Sequence, residues 1–264
     1  MMFSNLFSKD NYLINARMIK SVIITEYDIS KANISILYDK GIISDDVYSY
    51  LYRLPKLDRE IYVSNKIKTE GRSVHEIIKS GIIEAKRKLF SSNNIQDNEI
   101  IRIANDAVYI MRNYALAYTR FGNVEFKRKH SYSTFLRVGG LVILFSNFMG
   151  EINVDIIGLG KEQMKLHENY MITFIGSLLY LVETSTIDQV MDFYLYFYNK
   201  YLQKKLDIGF YREFNEISMF TTKSPTDGNK YGVSHIDSID EIDIGYNAGF
   251  LRELYGTIIG PYKD

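Results

Sequence analysis

The stretch Met18 to Tyr27 (MIKSVIITEY) is rich in β-branched and apolar residues and short for a free-standing helix, so it predicts a buried strand that ends at Asp28. Ser30 stands where a helix cap belongs. Ala32, Ile36 and Leu37, with Gly41 as a stop, predict a short helix from about Lys31. A strand that runs into a helix with a carboxylate at the junction constrains this chain more than any other feature. It commits the fold to a mixed architecture and sets an acid where a strand end meets open space.

The helical signals continue from there. Ser44-Asp45-Asp46 supplies a cap and first-turn acids ahead of Val47, Tyr50 and Leu51, and Pro55 opens a third helix that runs to about Lys68. Gly71 interrupts the pattern. Ser73 with Glu76 then forms a capping-box signature before Val74, Ile77, Ile78, Ile82, Ala85, Leu89 and Phe90, which predicts an amphipathic helix with Lys79, Lys86, Arg87 and Lys88 on its polar side. After the turn-rich Ser91 to Asn94, Ile100 to Ala104 and Ala107 to Met111 read as two strands. They are joined by Asn105-Asp106, two residues that tolerate left-handed backbone in a hairpin turn.

From Phe121 to Gly160, Gly122-Asn123, Gly139-Gly140 and Met149-Gly150 separate apolar segments at a spacing that suits an antiparallel meander. Lys161 to Thr184 and Thr186 to Lys205 carry apolar residues at helical periods and predict a helical pair on the preceding sheet. Ser224 to Asn229 reads as a loop, and the acids from Asp237 to Asp243 as a charged surface segment. The expected fold class is α+β: an antiparallel sheet with helices on one face, followed by a helical C-terminal region. The expected division is an α+β region over 1–160, a helical region over 161–215 and an extension over 216–264.

Composition narrows the chemistry. The 32 basic and 32 acidic residues cancel, so any nucleic-acid contact must come from a local basic face. The absence of cysteine excludes disulfides, thiolate metal sites and cysteine nucleophiles. His75, His130, His167 and His235 lack zinc-site spacing, which points any metal toward a hard cation such as Mg²⁺ on carboxylates. No apolar run approaches the roughly 18 residues of a membrane span, and Met1 to Asn11 lacks signal-peptide character, so a cytoplasmic protein without a membrane partner is expected. The abundance of Ile, Asn, Lys and Tyr, with 3 Pro and no Trp, suits an AT-rich genome such as that of a low-GC bacterium or its phage.

Asp28-Ile29-Ser30-Lys31-Ala32-Asn33-Ile34-Ser35-Ile36-Leu37 resembles the first palm motif of A-type and B-type DNA polymerases, in which an aspartate ends a strand and a Ser-containing, aliphatic-ending helix follows. The helix from Ser73 to Phe90, then the strand and the hairpin Ile103-Ala104-Asn105-Asp106-Ala107-Val108, is similar in order to the elements that close an A-type palm. The resemblance covers about Ser21 to Arg112. It implies a palm-like sheet, phage-type replication, and template-directed nucleotidyl transfer on nucleic acid and a nucleoside triphosphate.

Such a reaction uses two Mg²⁺ or Mn²⁺ ions roughly 4 Å apart, held by converging carboxylates. The resemblance implies the metal-binding and catalytic roles for Asp28 and Asp106. Ile29 would contribute its carbonyl oxygen, and Asn33 falls where the family places the Glu or Tyr that meets the incoming sugar. Lys66, Lys68 and Arg72 lie in the stretch of the triphosphate-binding fingers, although their spacing departs from that motif. Ala104 and Ala107 stand where the family has a second hairpin acid.

The run Lys127-Arg128-Lys129-His130, between Phe126 and Tyr132, reads either as a track for a nucleic-acid backbone or as a solvated strand face. The Tyr-rich stretch Phe193 to Tyr198, with Tyr201, reads as helix core plus an interface for a protein partner. Against the enzyme stands a second expectation: a non-catalytic palm-like or α+β module that binds nucleic acid or a protein.

Overall fold

The structure, a computed structural model, describes residues 11–12, 16–211, 222–223, 230–231 and 245–262, with side chains for 16–160, 164–211 and 247–262. The Ser224 to Asn229 loop and the Asp237 to Asp243 acids lie outside the described residues. The chain is α+β and forms two compact units, one of residues 1–15 and 23–131 and the other of 16–22 and 132–264. This division differs from the expected break at 160. The meander between 121 and 160 is shared out, because strand Val124–Tyr132 pairs in one sheet and the strands after it in another.

The first unit is built on a six-stranded sheet. Its strands are β1 (Asn11–Tyr12), β3 (Ile24–Ile29), β4 (Ile100–Ile103), β5 (Ala107–Met111), β6 (Arg120–Phe121) and β7 (Val124–Tyr132), in the order β1-β4-β5-β3-β7-β6. The expected strand from Met18 does not run unbroken. Ser21 sits in left-handed backbone at φ 59°, and β2 (Met18–Ile19), ahead of that kink, joins the sheet of the second unit.

Between β3 and β4 come α1 (Ala32–Asp39), α2 (Asp45–Arg53), α3 (Lys56–Glu70) and α4 (Arg72–Ser92). Two starts differ from expectation. Lys31, not Ser30, is the N-cap of α1, in left-handed backbone at φ 53°. Ser30 is instead held at the sheet by its N–H, which donates to the Glu125 carbonyl at 2.8 Å. In α4 the Ser73–Glu76 box is unused, since Gly71 at φ 83° turns the chain from α3 straight into α4. The Ser73 hydroxyl donates back to the Glu70 carbonyl at 3.1 Å. Ser44 caps α2 as expected, accepting from the Val47 N–H at 3.5 Å.

Helix α4 covers the sheet with Ala85, Leu89 and Phe90, which pack with Tyr27, Ile29, Ile103, Val108 and Phe126. Ile34 and Leu37 of α1 pack with Leu51, Val63, Val74 and Ile78 of the next three helices. These clusters hold α1 and α3 around the end of β3.

The second unit carries the sheet β10-β9-β8-β2, with β8 (Thr134–Val138), β9 (Leu141–Phe148) and β10 (Glu151–Ile157). Helices α5 (Lys161–His167), α6 (Thr173–Thr184), α7 (Ile187–Leu202) and α8 (Gly245–Ile259) form the helical C-terminal region, with one π-helical turn at Glu168–Ile172. Helix α8 was not expected from the sequence. Its Phe250, Leu251, Leu254 and Ile258 join a core with Phe174, Tyr194, Phe197 and Tyr201. A two-residue pair, β11 (Thr222–Lys223) and β12 (Lys230–Tyr231), stands apart from both sheets.

Candidate functional site

Asp28 is the penultimate residue of β3 and pairs with Ala107 of β5, while the Ile29 N–H donates to the Asp106 carbonyl at 2.9 Å. The two aspartates are thus neighbours across adjacent strands, and both line one cleft of about 260 Å³ in the first unit. Burial holds the Asp28 carboxyl above its ordinary range, and the charge of Asp106 adds to the rise against the pull of Lys129 and Lys56. Two acids that repel in a half-buried cleft suit a shared cation.

The rest of the cleft is cationic. Lys56 and Arg59 come from the first turn of α3, where residues three apart share a face, and Lys127 and Lys129 alternate along β7 onto one side of the sheet. Lys129 Nζ lies 3.4 Å from Asp28 Oδ2, and Lys127 Nζ 3.7 Å from Glu125 Oε2. With Lys31, five cations face the three carboxylates of Asp28, Glu60 and Asp106. Burial lowers the Lys31 ammonium, and the charges of Arg59 and Lys127 lower it further. This surplus gives the cleft a locally positive potential in a chain of no net charge.

Of the residues singled out from sequence, the cleft gathers Asp28, Ile29, Asn33, Asp106, Lys127 and Lys129. The Asn33 amide donates to Glu60 Oε2 at 3.2 Å. Lys66 and Arg72 are not in its lining. Lys66 pairs one helical turn on with Glu70 at 2.6 Å, and Arg72 opens α4. Arg128 falls on the other side of β7, where its Nη2 donates to Ser131 Oγ at 2.8 Å. Lys56, Arg59 and Glu60 were missed. The signal was present, since a helix opened by Pro55 puts positions 56, 59, 60 and 63 on one face.

In the Tyr-rich stretch, Tyr194, Phe197 and Tyr201 are core, and the Tyr194 hydroxyl donates to the Leu251 carbonyl at 2.6 Å. Tyr196 is 63 % exposed. Among the described residues no group of three or more acids or histidines is placed to hold a metal, and the carboxylates that line the cleft are those of Asp28, Glu60 and Asp106. No helix among the described residues is long and apolar enough to cross a membrane.

Fold and site together define an α+β protein with a carboxylate pair set in a basic cleft. The chain belongs to the phage protein family described as Bacteriophage PBS1 gene 130 protein, whose model matches residues 2–224 and so takes in the whole cleft. No curated protein matches the chain.

Proposed function

We propose that the protein is a palm-type nucleotidyltransferase of phage replication, which extends a nucleic-acid strand from a nucleoside triphosphate with Mg²⁺ or Mn²⁺ bound by Asp28 and Asp106. The observation that carries this reading is the single cleft in which those carboxylates, from a central strand and the hairpin beside it, face Lys56, Arg59, Lys127 and Lys129.

The donor set fits such a metal. It is all oxygen, burial and the charge of Asp106 raise the cost of ionising Asp28, and Mg²⁺ is commonly held by one or two carboxylates with substrate phosphates completing the shell. Held by Asp28 and Asp106, such an ion would supply charge neutralisation at the phosphates and acidify the attacking hydroxyl. The chain does the rest. On this reading Lys56 and Arg59 from α3 and Lys127 and Lys129 from β7, which line the cleft, would meet the phosphates, and Asn33, bonded to Glu60, would meet the sugar.

Primer extension with Mg²⁺ or Mn²⁺ tests the reading. Asp28→Ala and Asp106→Ala should each abolish extension while leaving the circular dichroism spectrum unchanged, and activity equal to the parent in both variants refutes it.

The second reading, a binding module that has lost catalysis, is favoured by one observation: Ala104 and Ala107 leave the hairpin with a single acid. It predicts polyanion binding in the basic cleft without divalent-metal affinity. Calorimetric titration with Mn²⁺ separates the two.

A further inference from the structure

Lys86 lies in the middle of α4 and is 1 % exposed. The sequence pattern put it on the polar side of that helix, and the structure buries it beside Ala85, Leu89 and Phe90, against the sheet. Its ammonium donates to the carbonyls of Ala104 and Asn105, the latter at 2.7 Å. Those two carbonyls form the turn that carries Asp106. A buried ammonium is costly to desolvate, and an apolar residue of the same length would spare that cost.

The turn itself shows why a clamp is useful. Two-residue hairpin loops normally take primed turns, which need left-handed backbone, because only those match the twist of the flanking strands. Neither Asn105 nor Asp106 has a positive φ, although both residue types tolerate one. The loop is closed by the Ala104 N–H donating to the Ala107 carbonyl at 2.9 Å, and it is anchored from below by Lys86. A turn without the favoured geometry, but with two of its carbonyls fixed to one buried ammonium, has its aspartate aimed by that ammonium.

We infer that Lys86 is a positioning residue: by clamping the Ala104 and Asn105 carbonyls from the helix beneath, it fixes the hairpin turn so that the Asp106 carboxylate shares a divalent cation with Asp28. This rests on the metal-binding reading of the cleft, while the clamp can be measured without it. Lys86 acts through Asp106 and touches neither metal nor substrate.

The test compares the parent protein with Lys86→Met in amide hydrogen exchange and in Mn²⁺ calorimetry. In Lys86→Met the amides of Ala104 and Ile29, which bond within and onto the turn, should exchange at least tenfold faster, while amides in the middle of α4 and in β7 keep their protection. Mn²⁺ affinity should fall at least tenfold. In an Asp106→Asn background the same Lys86 change should leave the residual Mn²⁺ affinity within twofold, a result that general loosening of the fold would not give. Should Lys86→Met fail to fold, Lys86→Gln carries the same test, since its shorter amide cannot bridge both carbonyls. If the parent takes up no Mn²⁺, the carboxylate reading of the cleft falls and exchange alone decides the clamp. Unchanged exchange at Ala104 and Ile29, or an equal loss of Mn²⁺ affinity in the Asp106→Asn background, overturns the assignment.

Discussion

Replacing Asp28 by an asparagine should make the metal-free protein more stable. In the fold, burial and the charge of Asp106 raise the Asp28 carboxyl above its ordinary 3.8, and they do so after the attractions of Lys129 and Lys56 have been counted. Folding therefore favours a neutral side chain at this position. A generic pair of like unit charges about 6 Å apart at an effective dielectric of about 20 repels by roughly 3 kcal/mol, and for a partly exposed group such as Asp28 this falls to about 1–2 kcal/mol. Loss of the Lys129 pair, 3.4 Å long with the lysine 49 % exposed, returns about 0.5 kcal/mol. The net gain is about 1 kcal/mol, or a few degrees in Tm.

The pH dependence follows from the same sign. A carboxyl whose folded pKa is raised contributes its stability below the ordinary value and loses it as pH rises through the folded value. Asp28→Asn should thus exceed the parent at neutral pH, and the gap should close on acidification, where the protonated Asp28 carboxyl and the amide that replaces it are both neutral. If Asp28 and Asp106 hold the proposed cation, divalent metal should reverse the order, because Mg²⁺ at ten times its Kd would stabilise the parent by about 1.4 kcal/mol and the variant little. Urea denaturation in chelator and in Mg²⁺ reads both effects, followed by circular dichroism because the chain has no Trp. An Asp28→Asn variant that is less stable than the parent in chelator at pH 7, or is stabilised by Mg²⁺ to the same degree, refutes the repelling-pair argument.

Arg59→Ala and Lys129→Ala should each weaken a non-hydrolysable nucleoside triphosphate about tenfold in calorimetry, the loss of one charge-assisted contact, whereas Lys66→Ala and Arg72→Ala should stay within twofold. Gly81→Ala should lower stability by about 1–3 kcal/mol in urea despite its better helix propensity, since an added Cβ would sit 2.4 Å from Cγ2 of the buried Ile36. Arg112→Ala should cost about 2–4 kcal/mol. Its guanidinium, 7 % exposed, meets Glu99 at 2.5 Å and also donates to the Asn93 and Asn94 carbonyls. The Arg112 hydrogen bond lowers the Glu99 carboxyl, so that pair stabilises above the ordinary carboxylate range and is lost as pH falls, and an acid titration of stability should be shallower in Arg112→Ala.

The elements legible in the sequence are those whose signals are local. Helices α2 and α3 announced themselves through Ser44 and Pro55, and the hairpin through the apolar runs on either side of Asn105-Asp106. What escaped depends on tertiary context. Nothing in MIKSVIITEY says that the chain kinks at Ser21 and divides its residues between two sheets, because a β-branched run fits either sheet equally well. Nor does a linker mark the change of unit after Ser131, since β7 leads into β8 with only Ser133 between them. Lys86 illustrates the limit most sharply. It lies four residues after Ile82, on the inner face, yet charge outweighed position in the periodic reading.

The cleft divides along the same line. That Asp28 and Asp106 line one cleft was readable because the element order, set against the palm it resembles, puts that strand end beside that hairpin. Which cations accompany them was not, because that depends on which turn of α3 reaches the cleft. The N-terminal turn does so, with Lys56 and Arg59, and the C-terminal turns carrying Lys66 do not. Val63, one turn further along the same face, explains the choice. It is 3 % exposed in the cluster with Ile34, Leu37 and Val74, and it pins α3 so that the residues just before it on that face stand over the end of β3. The part of the site's basic character that α3 supplies therefore depends on an apolar contact. Val63→Ala should displace Arg59 and weaken triphosphate binding even though Val63 carries no charge.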